Sequence, residues 1–350
     1  MQKPKEIRRL ITPFRIIIAI SLGLGVSVLM ILKDFDLKAY TSLNLTSNSL
    51  FYLLIAIFLM MLRDYAYMLR LWVLTDKKIS WLGNFQVIML WEFASAMTPS
   101  VVGGSAVAMF FVGKEIKNTG RATAIVLITA LLDELFYVIM APLAVLFVGT
   151  RQLFISQNFK LFGGSYLPVE NIFVLGYVFI LILVCIIVFG IFFKPELFKK
   201  ILLLIFSRKI LRRWFRKAVR MGNEIIITSA EMKDKKFWFW FKAFGFTFLS
   251  WTARFWVVNF LILAVIGGGD QLMIYARQLI MWVILLISPT PGGSGVVEYM
   301  FPKFLGEYIG GFGNEIALIW RLISYYAYLI IGSIVLTAWL KRMRSSGRFD

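Results

Sequence analysis

Residues 91–105 read WEFASAMTPSVVGGS, and residues 282–294 read WVILLISPTPGGS. Each stretch runs from a tryptophan through apolar residues to a Thr-Pro or Ser-Pro step and then to Gly-Gly-Ser. Proline and glycine break helices and free backbone polar groups, which hydrocarbon cannot satisfy. A pair of such breaks in the two halves of a membrane chain is typical of a transport site at an inverted repeat. We therefore expect the function to lie at these two breaks.

The composition indicates an integral membrane protein. Of the 350 residues 60% are hydrophobic, and the mean hydropathy is +0.80, whereas soluble domains have about 45–50% apolar residues. Apolar runs of about 20 residues, long enough to cross the hydrocarbon, recur along the chain. The first run, near residues 11–32, has no small-residue cleavage site, so we expect a retained span rather than a signal peptide.

The residue types present exclude several kinds of site. The chain has no histidine, which excludes histidine-based acid–base catalysis and histidine metal sites. Its one cysteine, Cys185, lies in an apolar run, so neither a disulfide framework nor a thiolate metal cluster is expected. No catalytic motif is recognisable. We predict that the protein is not an enzyme and needs neither a cofactor nor a metal. A metal site made of carboxylates alone stays an alternative.

The formal net charge is +19. Because the basic residues are distributed relative to the apolar spans as in a membrane protein, no nucleic-acid partner is expected. Lysine and arginine are concentrated at both termini and in residues 194–236, but not in residues 33–49 or 267–271. The positive-inside rule then places both termini and residues 194–236 in the cytoplasm. An alternative use of this charge is a surface for anionic lipids, since residues 202–221 alternate bulky apolar with basic side chains.

These constraints predict an all-α polytopic membrane fold with about six spanning helices and two re-entrant helical hairpins. The spans are expected at residues 11–32, 50–72, 122–149, 171–193, 237–265 and 315–340. Residues 81–112 have basic flanks on both sides, which predicts a hairpin that enters from the cytoplasm. Residues 271–312 are predicted to form a hairpin that enters from the outside.

The two halves are predicted to form an inverted repeat in a single transmembrane domain, residues 1–350. Repeat A is expected at about 50–149 and repeat B at about 237–340, with a basic cytoplasmic loop at about 194–236. Arg63 and Arg254 lie near the middle of their spans and are separated by the same number of residues as Trp91 and Trp282. The two hairpin tips are then expected to meet near the midplane.

Charged side chains inside the spans are candidates for contact with a substrate, because each is costly in hydrocarbon. Arg63 and Arg254 lie too deep to reach either face easily, and two guanidiniums can hold a phosphate bidentately. The alternative is a structural ion pair, for which the candidate partners are Asp64, Glu92, Asp133 and Glu134. Asp133 and Glu134 are adjacent and point about 100° apart. One of them can therefore pair with an arginine while the other faces a cavity, where a proton on it could drive transport.

The breaks and their flanks supply the other candidates. Glu92 and Glu298 could neutralise the arginines or meet a cationic headgroup. Arg321 could contact a headgroup or pair with Glu298 or Glu315. Free backbone N–H groups at Gly-Gly-Ser favour an anion, and tight packing between the hairpins is the alternative. The predicted substrate-binding residues are Arg63, Glu92, Thr98, Gly103, Gly104, Asp133, Arg254, Ser288, Thr290, Gly292, Gly293, Glu298 and Arg321.

Over about residues 14–340 the chain resembles the family labelled lysylphosphatidylglycerol synthase transmembrane region, also called the flippase-like domain family. The resemblance rests on Thr98-Pro99-Ser100, Gly103-Gly104, Phe110-Phe111, Leu131-Leu132-Asp133, the SPTPGGSG block at 288–295, Glu298 and Trp320-Arg321. It implies a protein of the bacterial or archaeal cytoplasmic (inner) membrane. The best-understood relatives move an aminoacylated phospholipid between leaflets, and a separate cytosolic domain makes that lipid.

Two departures from the family limit what is carried over. The chain stops at Asp350, soon after the last span, so the aminoacyl-transferring domain and the synthase activity are not expected. Some members carry Gly-Glu-x-x-Arg after the first glycine pair, where this chain reads Gly104-Ser105-Ala106-Val107-Ala108. A role tied to that charge pair is therefore not carried over.

The resulting prediction is a flippase-like membrane protein that translocates a phospholipid or another polar-headgroup lipid between leaflets. Its expected partners are membrane lipids, either anionic or aminoacylated phospholipids. Whether the protein also forms a homodimer is left open. Two alternatives are a secondary transporter of a small anionic solute and an intramembrane lipid-modifying enzyme that uses Glu92, Asp133 or Glu298 as acid or base. A groove open sideways to lipid would favour the flippase, and a cavity open only to water the solute transporter.

Overall fold

A computed structural model describes residues 47–98, 100–154, 158–160, 166–208, 212–286 and 296–346. Five helices in this part of the chain are long and apolar enough to cross a membrane: Ser47–Leu74, Thr119–Val148, Val169–Phe193, Phe237–Ile266 and Gly313–Ser345. The predicted all-α polytopic fold is confirmed. The span expected at residues 11–32 lies outside the described residues, and the total number of spans stays a prediction.

The helices follow one another with short connections. In chain order they are α1 (Ser47–Leu74), α2 (Trp81–Met97), α3 (Ser100–Ile116), α4 (Thr119–Val148), α5 (Thr150–Leu153), α6 (Val169–Val188), α7 (Pro195–Ser207), α8 (Phe215–Lys233), α9 (Phe237–Ile266), α10 (Gln271–Leu285), α11 (Val296–Ile309), α12 (Gly313–Arg321) and α13 (Ala327–Ser345). A π-helical turn, Phe189–Phe193, extends α6, and another, Leu322–Tyr326, joins α12 to α13. A 3-10 turn, Arg212–Trp214, precedes α8. Between α5 and α6, strands β1 (Asn158–Lys160) and β2 (Tyr166–Pro168) pair antiparallel.

Both Pro/Gly breaks separate two short helices. The first break begins at Thr98, where the backbone is extended and the side-chain hydroxyl donates to the carbonyl of Ala94 at 2.7 Å. The second break separates α10 from α11. Helices α2 and α3 have 17 residues each, about 25 Å, which is less than the roughly 30 Å of hydrocarbon. The two helices at each break pack against each other, as hairpin arms do, but their re-entrant course stays a prediction.

The helices that carry Arg63 and Arg254 form the central contact of the described fold. Helices α1 and α9 pack more extensively on each other than any other two described helices. Buried alanines on both, such as Ala66 and Ala253, allow the backbones to approach closely. The Ser250 hydroxyl donates to the carbonyl of Arg63 at 3.0 Å. This packing holds both arginine-bearing segments in the interior of the protein.

Residues 194–236, predicted as a basic loop, are largely helical, because α7 and α8 occupy most of this segment and pack against each other. Helix α8 also packs on the start of α4, where the Glu224 carboxylate accepts a hydrogen bond from the backbone N–H of Gly120 at 2.9 Å. Apolar side chains on the outer face of α7, such as Leu197 and Leu204, remain exposed. The segment is therefore a docked amphipathic helix pair, whose location in the cytoplasm stays a prediction.

A cluster of charged side chains fixes α8 to the membrane helices. Arg121 at the start of α4 forms ion pairs with Asp76 at 2.6 Å and with Glu231 at 2.8 Å, and Lys235 pairs with Asp76 at 2.5 Å. We call these four residues the Asp76 cluster. It joins the turn after α1, the start of α4 and the end of α8.

Replacing Arg121 by alanine is expected to lower the free energy of unfolding by about 1–2 kcal/mol. Exposed ion pairs contribute about 0–1 kcal/mol and loss of one partner of a buried pair costs about 3–5 kcal/mol. Arg121 is nearly buried, but Glu231 is substantially exposed, so solvent screening reduces the effect. Unfolding by a denaturing detergent in mixed micelles measures it. An unchanged midpoint would mean that the Asp76 cluster does not stabilise the fold.

Candidate functional site

A cavity of about 250 Å³ lies between α1, α2, α3, α4, α9, α10, α11 and the last span, which runs from α12 to α13. Its charged lining residues are Arg63, Arg70, Glu92, Asp133, Glu134, Arg254 and Arg321. Its aromatic lining residues are Tyr67, Trp91, Tyr137, Trp251, Trp282, Trp320, Tyr325 and Tyr328. Charged groups and aromatic rings therefore surround one space in the interior of a membrane protein.

The structure brings together six of the predicted site residues: Arg63, Glu92, Thr98, Asp133, Arg254 and Arg321. Gly104 lies on α3 close to the cavity-lining Ser95, and Gly103 lies on the same helix. Glu298 lies on α11, but its side chain is outside what the structure describes, as are Ser288, Thr290, Gly292 and Gly293. Among the described residues, the second break therefore contributes to the cavity only through the helices on either side of it.

Arg63 is held in a structural ion pair, the alternative that the sequence left open. Its Nη1 contacts Asp64 Oδ1 at 2.8 Å, and its Nη2 contacts Glu92 Oε1 at 2.7 Å. The Tyr328 hydroxyl accepts from Arg63 at 3.1 Å and donates to Asp64 at 2.8 Å. The Arg63 side chain is only 1% exposed. Two carboxylates and a tyrosine therefore compensate this guanidinium.

Asp133 is also paired, and its partner is Arg70, which the sequence reasoning missed. Arg70 donates from Nη1 at 2.5 Å and from Nη2 at 3.3 Å, and the Trp251 indole N–H donates to the same carboxylate at 2.8 Å. Arg70 lies about two helical turns after Arg63 on the same face of α1. The Tyr67 ring lies between them, at 4.4 Å from each guanidinium carbon. That spacing was the signal available in the sequence.

Arg254 has a different environment. Its guanidinium carbon lies 4.7 Å from the centre of the Trp282 ring and 5.4 Å from that of Trp251. No carboxylate of the described residues lies within ion-pair distance of it, and its buried Nε has no hydrogen-bond partner there. Cation–π contacts hold the side chain in place, and the described residues supply no counter-ion for its charge. Arg254 can therefore receive an anionic group.

Arg321 and Thr98 lie on the wall of the same cavity. The guanidinium carbon of Arg321 lies 4.4 Å from the centre of the Tyr325 ring, and this arginine is nearly buried. The Thr98 hydroxyl is engaged by the carbonyl of Ala94. Thr98 therefore shapes the end of α2 rather than offering a free hydrogen to a ligand.

The glycine pair of the first break favours the packing alternative. A β-carbon at Gly104 would lie 2.0 Å from the Ser95 hydroxyl oxygen and 3.0 Å from the Ser95 Cα. The absence of a side chain at Gly104 thus allows α3 to approach α2 closely. Because Ser95 and Ser105 line the cavity, this close approach also sets the position of the cavity wall.

The tryptophans of the cavity were not among the predicted substrate-binding residues. Trp91 and Trp282, which open the two breaks, both line the cavity, as do Trp251 and Trp320. The repeated position of Trp91 and Trp282 was the signal in the sequence.

The comparisons with known proteins agree with this membrane fold. Residues 16–332 match the family described as lysylphosphatidylglycerol synthase TM region. The chain is similar to a UPF0104 membrane protein of Archaeoglobus fulgidus, with 23% identity over 270 residues that cover 73% of this chain and 76% of that protein. No solved structure matches it. Because the family match covers most of its length, this multi-pass membrane protein belongs to the lysylphosphatidylglycerol synthase transmembrane-region family.

Proposed function

We propose that this protein is a flippase-like transporter that passes the polar headgroup of a phospholipid through the cavity while the acyl chains stay in the bilayer. The observation that carries the proposal is the guanidinium of Arg254 on the wall of a cavity inside the membrane domain, where the described residues supply no counter-ion for it. The proposed setting is the cytoplasmic membrane of a bacterium or archaeon, with both termini and the α7–α8 pair in the cytoplasm.

The charge of Arg254 supports an anionic ligand. A buried cation without a counter-ion is costly, and an incoming phosphate offsets that cost. A guanidinium presents a fork of donors that matches two phosphate oxygens. Arg63 and Arg70 already donate to carboxylates, so their binding capacity is largely used. Arg254 is therefore the arginine that we assign to the phosphate.

The size of the cavity supports a headgroup rather than a whole lipid. Pockets for drug-sized ligands have volumes of about 300–1,000 Å³, and this cavity has about 250 Å³. Acyl chains would have to remain outside it. The family name refers to the synthesis of lysylphosphatidylglycerol, an aminoacylated phospholipid, which supports a phospholipid, anionic or aminoacylated, as the substrate.

Replacing Arg254 by glutamine is expected to lower the rate of lipid translocation about 10- to 100-fold, since a hydrogen bond to a charged group contributes about 1.5–3 kcal/mol. The rate is measured in proteoliposomes that contain headgroup-labelled phosphatidylglycerol. A membrane-impermeant quencher removes the signal of each label that reaches the outer leaflet, and the rate of this signal loss is recorded. The matched control is Arg344→Gln, because Arg344 is exposed in the last turn of α13 and does not line the cavity.

Two outcomes would count against the proposal. Wild-type proteoliposomes that move the label no faster than empty liposomes would exclude translocation of this lipid. An Arg254→Gln variant as fast as Arg344→Gln would move the headgroup site away from Arg254. Release of trapped inorganic phosphate without movement of lipid would favour the small-anion transporter instead.

A further inference from the structure

We propose that Glu134 on α4 binds a proton that accompanies the lipid headgroup across the membrane. The inference rests on the proposed function and adds an energy source to it. It assigns a role to a cavity residue that was not among the predicted substrate-binding residues.

Glu134 is a buried carboxyl group without a described counter-ion. It lines the cavity but is only 4% exposed. Its Oε2 is buried and has no hydrogen-bond partner among the described residues, and no described lysine or arginine lies within 4 Å of it. A carboxylate in such surroundings is costly, and a proton removes its charge. The geometry is therefore that of a proton-binding group.

The neighbouring Asp133 provides an internal comparison. The same helix presents two consecutive carboxyl groups to the same cavity, but Asp133 receives hydrogen bonds from Arg70 and Trp251. Its charge is compensated in place, so Asp133 is suited to a structural role. Glu134 points about 100° away around α4 and lacks those partners. The structure thus shows that Asp133 is the paired residue of the two, whereas Glu134 has no such partner among the described residues.

The groups that face Glu134 are known from the helices around it. Those that share its cavity are Arg63, Tyr67 and Arg70 of α1, Glu92 of α2, Asp133 and Tyr137 of α4, Arg254 of α9, and Arg321, Tyr325 and Tyr328 of the last span. Helices α3 and α10 contribute Ser105 and Trp282 to the cavity, and neither titrates. On α6, Tyr177 donates to the carbonyl of Val138, one turn from Glu134. The charged groups of α8 contact Gly120 and Arg121 at the start of α4, whereas Glu134 lies near the middle of that helix.

The headgroup and the proton are expected to favour each other. Tyr137 lines the same cavity as Arg254 and Glu134, and its hydroxyl has no hydrogen-bond partner among the described residues. A negative headgroup on Arg254 opposes a second negative charge on Glu134 nearby. By linkage, binding of the headgroup and binding of the proton strengthen each other to the same extent. Lipid and proton then cross in the same direction.

The test imposes a gradient of about one pH unit on proteoliposomes in which labelled phosphatidylglycerol starts evenly distributed and the membrane potential is clamped to zero. With one proton per lipid, the gradient supports an asymmetry of about tenfold, with the lipid enriched in the leaflet that faces the alkaline side. Glu134→Gln is expected to leave the distribution even. The matched control, Glu170→Gln, changes an exposed carboxyl at the start of α6 and is expected to retain the asymmetry.

A second readout does not depend on transport. Infrared spectra of the reconstituted protein are expected to show a protonated-carboxyl band that responds to added anionic lipid and is absent from Glu134→Gln. Should that variant fail to fold, Glu134→Asp must retain the band at a shifted frequency. A wild type that equalises lipid without responding to the gradient, a Glu134→Gln variant that still builds the asymmetry, or an unchanged band would overturn the inference. If no lipid moves at all, the proposed function fails, and the band alone decides the proton site.

Discussion

Replacement of Arg63 by leucine is expected to lower the free energy of unfolding by about 3–5 kcal/mol, the range found when one partner of a buried ion pair is removed. The change leaves the carboxylates of Asp64 and Glu92 without the guanidinium that now lies 2.8 Å and 2.7 Å from them. It also deprives Tyr328 of the cation from which its hydroxyl accepts. Unfolding in mixed micelles with a denaturing detergent measures the loss.

A rescue variant separates charge from packing. Adding Asp64→Asn and Glu92→Gln to Arg63→Leu removes the two uncompensated charges, so most of the lost stability is expected to return. The exposed Arg344→Gln variant is expected to unfold like the wild type. If Arg63→Leu cost less than about 1 kcal/mol, a typical value for an exposed pair, the buried ion-pair description of α1 and α2 would be wrong.

Replacement of Gly104 by valine is expected to cost about 3 kcal/mol and to stop translocation. The cost lies at the upper end of the range for overpacked cores, because a β-carbon at this position would overlap Ser95, including its backbone. Helices α2 and α3 would have to separate, and Ser95 and Ser105 would leave their places on the cavity wall. Translocation is measured with the labelled phosphatidylglycerol described above.

A milder pair of variants tests the same contact. Gly104→Ala alone is expected to impair stability and translocation, and adding Ser95→Gly removes the closest opposing atoms and is expected to restore much of both. An alanine variant with wild-type stability and rate would show that α2 and α3 are less closely packed than described. That result would favour anion binding by the backbone at Gly104 over the packing role.

Membrane class and helix positions could be predicted from sequence because the bilayer imposes them on the chain directly. Span length follows from hydrocarbon thickness. A Thr-Pro step favours the end of a helix because proline removes a backbone donor, although Pro142 and Pro302 lie inside α4 and α11. For this reason the first break was expected at Thr98-Pro99, and α2 ends at Met97. The spans predicted at 50–72 and 237–265 correspond to Ser47–Leu74 and Phe237–Ile266.

The pairing of the charges could not be predicted, because it depends on which helices lie side by side. Arg70 was not among the candidates from the sequence, but the packing of α1 on α9, which also packs on α4, places it against Asp133 and Thr247. The sequence offered Arg63 and Arg254 as equivalent residues. Only the three-dimensional arrangement gives Arg63 two carboxylates and leaves Arg254 among tryptophan rings.

The basic segment shows a different limit. Its charge predicted a basic cytoplasmic loop, but α7 and α8 occupy most of the segment and pack against each other. The same residues carry the same net charge whether they form a loop or an amphipathic helix pair, so the charge alone could not distinguish the two. The contact between Glu224 and Gly120 depends on the fold and leaves no trace in the composition.

The Asp76 cluster makes the molecule unequally stiff. At that end, ion pairs tie the turn after α1, the start of α4 and the end of α8 into one block. The turns that follow α9 and α11 instead contain glycines with positive φ, including Gly267 and Gly310. They are held mainly by hydrogen bonds, such as that from Asn259 to the carbonyl of Gln271 at 2.8 Å, and by the pair of Arg277 with the exposed Glu307 at 3.1 Å. Opening of the cavity is therefore expected to pivot on the Asp76 end, with the glycine turns as hinges. Hydrogen exchange should be slowest at the pivot and fastest at the hinges.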